Sequence, residues 1–215
     1  MAAQRVLNRV LKEFFDTRLI DNNLRGYLAE AMVADQLGEP WRIVSGGWHA
    51  WDIQFGPDDA SYPERIRLQV KNAAAVQTWH HEDSAPSKPK FTLSYRPRPY
   101  YWDRDANTPC EDLGFLCDAY VLCLHGETRK EQVDHRDLEQ WQVYLLPVVG
   151  PNNAVTSSEF DWMNKKARTS RNGRSSTERT ASTLSKGIRG RPKIAPIPMK
   201  ELTDEKVRQA LGLPT

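Results

Sequence analysis

The chain has 215 residues and a mass of 24.6 kDa, the size of one ordinary domain or of one domain with an appendage. Its 39% hydrophobic and 27% charged residues suffice for a packed core and argue against wholesale disorder. No stretch approaches the roughly 20 apolar residues of a membrane span, so no membrane association is expected. Three cysteines, Cys110, Cys117 and Cys123, lack metal-ligand spacing and favour a reducing, cytoplasmic location over a disulfide framework.

The net charge of +2 hides an uneven distribution along the chain. Residues 151–200 contain eleven Lys or Arg against three acids, so this stretch carries +8 and the remainder carries −6. Such a split indicates a polyanionic partner, and a solvated basic tail is the alternative that composition alone leaves open.

Two helices are predicted at the beginning of the chain. Residues 2–15 place apolar side chains at helical spacing, which predicts an amphipathic helix with a wide apolar stripe. The second helix is expected from about Asn23 to Leu37, because N-capping residues precede it and Gly38 and Pro40 form a stop signal. Its expected core stripe is Leu24, Leu28, Ala31 and Met32. Glu30 falls at the edge of the apolar face, where a carboxylate is either paired or used.

A meander of three strands is predicted next, because the apolar period changes to two. The strands are expected at Trp41–Val44, Trp48–Phe55 and Arg65–Asn72. In the third strand, Arg67, Gln69 and Lys71 share a polar face, and Asp52 lies on the polar face of the second strand.

The later elements are predicted from shorter signals. A short helix at Ala73–His80, a loop at Arg96–Thr108, and strands at Phe91–Tyr95, Asp118–His125 and Gln140–Val149 are expected. The segment Thr169–Arg191 is rich in Ser, Thr, Arg and Gly and is expected to be flexible. We therefore predict a core domain at 1–150, a basic and partly flexible region at 151–200, and a C-terminal helix at 201–215.

Four polar residues converge in this predicted arrangement: Glu30, Asp52, Gln69 and Lys71. The hairpin brings Asp52 near the pair on the next strand, and the packed helix brings Glu30 to the same place. Carboxylate and amide oxygens suit a hard cation such as Mg²⁺ or Mn²⁺, which polarises a phosphate and activates water. The lysine can orient that water, help to deprotonate it, or stabilise charge on the phosphate.

This constellation resembles the PD-(D/E)xK nuclease superfamily, which has the restriction-endonuclease-like fold. The match covers about residues 23–72 and consists of Glu30 on the upstream helix, Asp52, and Gln69-Val70-Lys71. The resemblance implies an α/β fold with a mixed central sheet flanked by helices, here with a basic C-terminal extension. It also implies that Glu30, Asp52 and Gln69 are metal ligands and that Lys71 is catalytic.

Two residues depart from the superfamily pattern. Trp51 stands where a proline usually precedes the aspartate, and Gln69 replaces the usual acid. The glutamine removes one negative charge, so weaker or fewer metal ions are expected and an inactive site stays open as an alternative.

Nucleic-acid contacts are predicted from three features. Arginines interleave with flat rings in residues 95–102, one arginine precedes Glu30 by about a turn, and the basic region supplies phosphate contacts. The predicted contact residues are Arg25, Arg96, Arg98, Lys165, Lys166, Arg168, Arg171, Arg174, Arg179, Arg189 and Arg191.

The function that these features favour is metal-dependent endonucleolytic cleavage of DNA. A homodimer is compatible with it, because one such site cuts one strand and a symmetric pair cuts two. The alternatives are a non-catalytic DNA-binding or partner-binding protein on the same fold, and an interaction protein without nucleic acid.

Overall fold

The computed structural model describes residues 2–45, 51–95, 101–103, 108–110, 115–155, 157–169, 175–186 and 193–215. The helices in these ranges are α1 (Ala2–Phe15), α2 (Asn22–Leu37), α3 (Ser157–Thr169), α4 (Ala181–Lys186) and α5 (Asp204–Leu211). The strands are β1 (Arg42–Ile43), β2 (Ile53–Phe55), β3 (Ile66–Ala74), β4 (Lys90–Tyr95), β5 (Tyr101–Asp103), β6 (Thr108–Cys110), β7 (Ala119–His125), β8 (Trp141–Pro147), β9 (Ser175–Thr180) and β10 (Ile197–Pro198). None of the described helices is long and apolar enough to cross a membrane.

A six-stranded mixed sheet forms the centre of the fold, in the order β1-β2-β3-β7-β8-β10. The pair β3–β7 is parallel and its neighbours pair antiparallel. Helices α2 and α5 contribute to the core on one face of this sheet. The two-stranded ribbon β4–β9 and helix α4 contribute to the core on the other face. The expected α/β class with a mixed central sheet and helices is therefore confirmed.

Helix α2 begins and ends where the sequence predicts. The Asp21 side chain accepts a hydrogen bond from the backbone N–H of Asn23 at 2.9 Å, and Gly38 ends the helix with φ +67°. The buried face of the helix differs from the predicted core stripe by about one residue, and Ala31 of that stripe is exposed. The buried positions are Arg25, Ala29, Met32, Val33 and Leu37.

The predicted meander is confirmed, with its first two strands shorter than expected. Strand β3 alternates as expected, with Ile66, Leu68 and Val70 buried and the polar residues between them half-buried. Strand β2 contains only Ile53–Phe55, so Asp52 lies immediately before it rather than inside it. The first part of the predicted strand, residues 48–50, lies outside the described residues.

The prediction of a helix at Ala73–His80 is wrong. Its first two residues belong to strand β3, which pairs with β7 as far as Ala74, opposite His125. Ladder hydrogen bonds from the neighbouring strand outweigh the helix propensity of the alanines here.

The strands at the centre of the sheet follow the predictions closely. Strand β7 is buried at every position, and β8 begins and ends within the predicted range. Cys117 and Cys123 are buried free thiols, as expected of core residues. At the sheet margin, the Trp41 indole N–H donates to Asp204 of α5 at 2.9 Å, which ties the C-terminal helix to the beginning of β1.

Two segments that were expected to lack regular structure contain strands. Strand β9, within the segment expected to be flexible, pairs along its length with β4. Leu184 of the following α4 is buried in the core, which explains why this Ser- and Thr-rich stretch is held. The segment Arg96–Thr108, expected to be a loop, contains β5 and the first residue of β6, which pair with each other.

Candidate active site

The backbone of Asp52 is fixed at the junction of β1, β2 and β3. Because Ile53 pairs with Leu68, Asp52 lies beside Gln69. The Asp52 N–H donates to the Leu68 carbonyl at 2.9 Å, and the Asp52 carbonyl accepts from the N–H groups of Val44 at 2.8 Å and Ser45 at 3.3 Å. These three hydrogen bonds hold the residue although it lies outside the regular strand.

The Asp52 carboxylate is held by β3. Its Oδ2 atom accepts a hydrogen bond from the Val70 backbone N–H at 2.8 Å and another from the Gln69 side-chain amide nitrogen. Gln69 was expected to act through its carbonyl oxygen toward a cation. Here its nitrogen is used toward Asp52, which leaves Oε1 as the atom that could reach an ion.

Glu30 of α2 enters the same site and is oriented by a hydroxyl. Ser45 Oγ donates to Glu30 Oε2 at 2.6 Å. The same serine contacts the Asp52 carbonyl through its backbone N–H, so it links the two acids. Sequence reasoning gave Ser45 no role in the site, and its position two residues after β1 was the available signal.

The negative charge of Asp52 disfavours the ionised form of Glu30. Burial raises the pKa of Glu30 above its ordinary value, and the negative charge of Asp52 raises it further, whereas the Ser45 hydrogen bond and the positive charge of Lys71 lower it. Burial likewise raises the pKa of Asp52, and Lys71 and the two hydrogen bonds oppose that rise. The lysine therefore acts electrostatically on both acids, and the four predicted residues lie in one neighbourhood.

Trp51, the residue directly before Asp52, is buried and held from three directions. Its indole N–H donates to the Gln54 side chain at 2.9 Å. The guanidinium groups of Arg65 and Arg67 lie over its ring, at 5.8 and 5.3 Å from the centroid. The tryptophan thus fixes the chain just before Asp52, the place where a proline would restrict it through its ring.

Arg67 is held in turn by a buried acid that sequence reasoning missed. Asp118 accepts hydrogen bonds from the Arg67 side chain at 3.0 and 3.2 Å and from its backbone N–H at 2.7 Å. Asp118 is 1% exposed and precedes β7 directly. This pair lies two residues from Gln69 on the same face of β3, so it borders the site.

Arg25 does not fit the predicted role of a phosphate contact, because its side chain is fully buried. Its guanidinium donates to Asn72 at 2.9 Å, to Asn22 at 2.7 Å and to the Ile20 carbonyl at 3.5 Å. Burial lowers the pKa of Arg25 to about 10. The arginine fastens α2 to β3 and so positions Glu30, one turn further along the helix.

Arg179 of β9 is also unsuited to its predicted role. It is 2% exposed and forms an ion pair with Glu159 of α3, with Nη2 at 2.7 Å from Oε1. This buried pair connects the ribbon to α3, and its charge is neutralised inside the protein.

The remaining predicted nucleic-acid contacts divide into two groups. Lys165 and Lys166 are exposed on α3, and Lys166 Nζ lies 5.3 Å from the centroid of the exposed Trp162 ring. Arg168 belongs to the same helix, but its side chain is not among the described parts of the structure. The other six predicted contacts lie outside the described residues: Arg96, Arg98, Arg171, Arg174, Arg189 and Arg191.

Within the described ranges, no three or more His, Cys, Asp or Glu side chains are grouped so as to hold a metal ion. The acids offered by the site are the pair Glu30 and Asp52, to which Gln69 adds an amide oxygen. The site therefore carries two carboxylates, as the sequence indicates.

Comparisons with known proteins do not assign the chain to a family. No protein-family model matches the chain. No curated protein matches it. Among solved structures, a bacterial homing endonuclease aligns with 59% of this chain and 68% of its own, at 14% sequence identity and a TM-score of 0.28. A TM-score this low is not evidence of a shared function.

Proposed function

We propose that this protein is a metal-dependent endonuclease that hydrolyses phosphodiester bonds in DNA and has a restriction-endonuclease-like core. The observation that carries the proposal is the meeting of Glu30, Asp52, Gln69 and Lys71 at one half-buried place beside the central sheet. These are the residue types that phosphodiester hydrolysis with a hard cation requires.

The chemistry of the site fits a divalent cation. Burial and the negative charge of Asp52 raise the pKa of Glu30, and burial raises that of Asp52, so a bound cation would favour the ionised form of both acids. Glu30, Asp52 and Oε1 of Gln69 would hold Mg²⁺ or Mn²⁺, which prefer oxygen ligands. When bound, the ion supplies Lewis acidity toward the phosphate and lowers the pKa of a water molecule.

The protein's own residues position the reacting groups. The Val70 N–H and the Gln69 amide hold Asp52 Oδ2, and Ser45 holds Glu30. Lys71 belongs to the same face of β3 as Gln69 and would offer its positive charge to a nucleophilic water or to the scissile phosphate. A partly buried location strengthens each of these electrostatic effects relative to water.

DNA affinity is proposed to come from the basic region. Residues 151–200 carry a formal charge of +8, and the described part of this region exposes Lys165 and Lys166 on α3. Phosphate contacts from such residues give sequence-independent affinity that decreases with salt.

Cleavage assays test the proposal directly. Supercoiled plasmid, linear duplex, branched and single-stranded DNA are incubated with the protein and Mg²⁺, Mn²⁺ or EDTA. Metal-dependent cleavage of at least one substrate, lost in both Asp52→Asn and Lys71→Met, is expected. Cleavage that persists in both variants would show that the activity does not come from this site.

The alternative is a non-catalytic DNA-binding protein on the same fold. It is favoured by the hydrogen bond from Gln69 to Asp52, which partly satisfies the aspartate without a metal ion. Calorimetric titration with Mn²⁺ separates the two functions. Salt-sensitive DNA binding without metal binding and without cleavage would establish the alternative.

A further inference from the structure

Helix α1 presents an uncovered apolar stripe, the largest cluster of exposed hydrophobic side chains among the described residues. Its members are Val6, Leu7, Val10, Leu11 and Phe14, with exposed fractions from 41% to 59%. Together they expose roughly 400–500 Å², a patch size that marks interaction sites on soluble proteins. No residue of this helix is buried, so the stripe does not contribute to the core.

The helix is attached to the rest of the protein only near its C-terminal end, as far as the described residues show. Arg136 donates to the carbonyls of Phe15 at 3.5 Å and Asp16 at 2.9 Å. The stripe itself is therefore accessible along most of the 14-residue helix. A helix of this length is marginal in isolation, and burial of its apolar face against a partner would stabilise it.

The charged residues of α1 indicate what kind of partner covers the stripe. On a wheel of 3.6 residues per turn, Arg5 and Lys12 lie on the side opposite the apolar stripe. An interfacial helix that binds anionic lipid carries Lys and Arg on its polar face, but it gains nothing from an acid at the edge of the face that enters the lipid. In α1 that edge position is Glu13, which anionic headgroups would repel and a basic side chain of a protein partner would attract. Apolar-to-apolar docking against another protein helix suits the arrangement better.

The margins of the stripe favour a second copy of the same helix. One margin is uncharged, where Gln4 donates to Asn8 at 2.9 Å. The other margin carries Arg9 and Glu13. In an antiparallel pair each margin meets the same margin of the partner, so Glu13 of one copy comes within about one turn of Arg9 of the other. A parallel pair would place this charged margin against the uncharged one and form no such ion pair.

We propose that α1 is a dimerisation helix, which pairs antiparallel with α1 of a second copy about a two-fold axis. The two stripes and their margins would bury about 1,000–1,200 Å², the lower end of the range for specific interfaces. A two-fold arrangement makes the interface self-complementary. This inference does not rest on the nuclease proposal, because it uses no residue of the candidate active site.

The test is the mass of the full chain in solution. Light scattering coupled to size exclusion, and sedimentation over about 2–200 μM, are expected to show a shift from 24.6 kDa toward twice that mass. The variant Leu7→Glu/Leu11→Glu should stay monomeric at the highest concentration. The matched control Arg5→Glu/Lys12→Glu, on the opposite side of the helix, should dimerise like the wild type.

A charge exchange tests the contribution of the charged margin and guards against misfolded variants. Arg9→Glu alone should weaken dimerisation about two-fold or more, and Arg9→Glu with Glu13→Arg should restore it. A wild-type protein that is monomeric at 200 μM would overturn the proposal, as would a dimer that survives Leu7→Glu/Leu11→Glu. Co-flotation of monomers with phosphatidylserine vesicles, lost in the leucine variant, would assign the stripe to a membrane surface instead.

Discussion

The Gln69 side-chain amide donates a hydrogen bond to Oδ2 of Asp52, the same oxygen that accepts the Val70 N–H. Both hydrogen bonds converge on one carboxylate oxygen and orient the group rigidly. An acid at position 69, the usual residue of the resembled superfamily, could not donate in this way unless it were protonated. The glutamine therefore changes how the aspartate is held as well as the charge of the site.

Replacing Gln69 with Glu is expected to have opposite effects in the absence and presence of metal. Without metal, the variant loses a hydrogen bond to Asp52 and places two carboxylates side by side, which should lower stability by about 1–3 kcal/mol. With Mn²⁺, a third anionic ligand should tighten binding, so the metal-induced rise in melting temperature should exceed that of the wild type. Calorimetric melting with EDTA or Mn²⁺ measures both effects.

The control for this experiment is Gln69→Leu, which removes the donor without adding charge. It should lose stability without gaining metal affinity. An equal or smaller Mn²⁺-induced shift in Gln69→Glu than in the wild type would mean that residue 69 does not contact the ion.

Stability of the metal-free protein is expected to respond to pH through Asp52. Burial raises the pKa of Asp52 in the folded state, so folding favours the protonated carboxyl. The resulting contribution to the free energy of unfolding is present at pH values below the ordinary pKa of aspartate, and it is lost as the pH rises through the raised pKa. Asp52→Asn keeps an oxygen to accept the Val70 N–H but cannot ionise. The variant should therefore gain stability relative to the wild type as pH increases from the acid range to neutrality.

Urea unfolding in EDTA between about pH 4 and pH 8 checks this dependence. The same variant should show no stabilisation by Mn²⁺. If the wild type were the more stable protein at neutral pH without metal, the aspartate would be making a favourable ionic interaction instead. Such a gain in stability with loss of activity is the pattern expected of a functional site.

Local signals explain why parts of this site were predictable. The alternation of β3 places Gln69 and Lys71 on one face without reference to any other element. The capping residues of α2 similarly fix where Glu30 lies along its helix. These features depend on neighbours in sequence, so a single chain reveals them.

Non-local contacts explain what sequence reasoning missed. The charge of Arg25 suggested phosphate binding, but its burial depends on Asn72, 47 positions along the chain. The pairing of β9 with β4 likewise joins segments about 85 residues apart, and β9 has no apolar alternation to announce it. The Ser45–Glu30 hydrogen bond required the packing of α2 beside β1, which no local pattern specifies.

Arg25 is expected to be a structural residue. Arg25→Met should lower the free energy of unfolding by about 1–3 kcal/mol, because the half-buried Asn72 and the buried Ile20 carbonyl would each lose a charged hydrogen-bond donor. Arg25→Lys should rescue little, since a lysine cannot reproduce the forked geometry. Urea unfolding measures the loss. DNA affinity per folded molecule should be unchanged, and a reduced salt dependence of binding would contradict this assignment.

Lys165 and Lys166 are expected to contribute to DNA affinity through phosphates. Lys165→Ala/Lys166→Ala should reduce the magnitude of the log–log salt slope by about 0.9 for each phosphate that the variant no longer neutralises. The matched control is Lys200→Ala, since Lys200 is exposed but paired with Glu139 at 2.7 Å. Fluorescence anisotropy with a labelled duplex at several salt concentrations gives the slopes. Equal slopes in the double variant and the wild type would show that this face of α3 does not contact DNA.

Substitution of Lys71 can distinguish a role in the cleavage reaction from a role in organising the metal ligands. Its positive charge lowers the pKa of both Glu30 and Asp52, so it opposes metal binding while holding the two acids ionised. Lys71→Met should therefore keep or increase Mn²⁺ affinity at neutral pH. Because the lysine is half-buried on the polar face of β3, its loss leaves no core cavity and should change stability little.

Cleavage should nevertheless decrease by about 10²-fold or more, the cost of removing one preorganised charge from a phosphoryl-transfer site. Single-turnover cleavage and Mn²⁺ calorimetry on the same preparation measure the two properties together. Lys90→Met is the control, because Lys90 is exposed and pairs with Glu178 at 3.1 Å. Lost cleavage together with lost metal binding would make Lys71 a residue that organises the ligands. Lost cleavage with intact metal binding would place its ammonium group at the reacting phosphate or water.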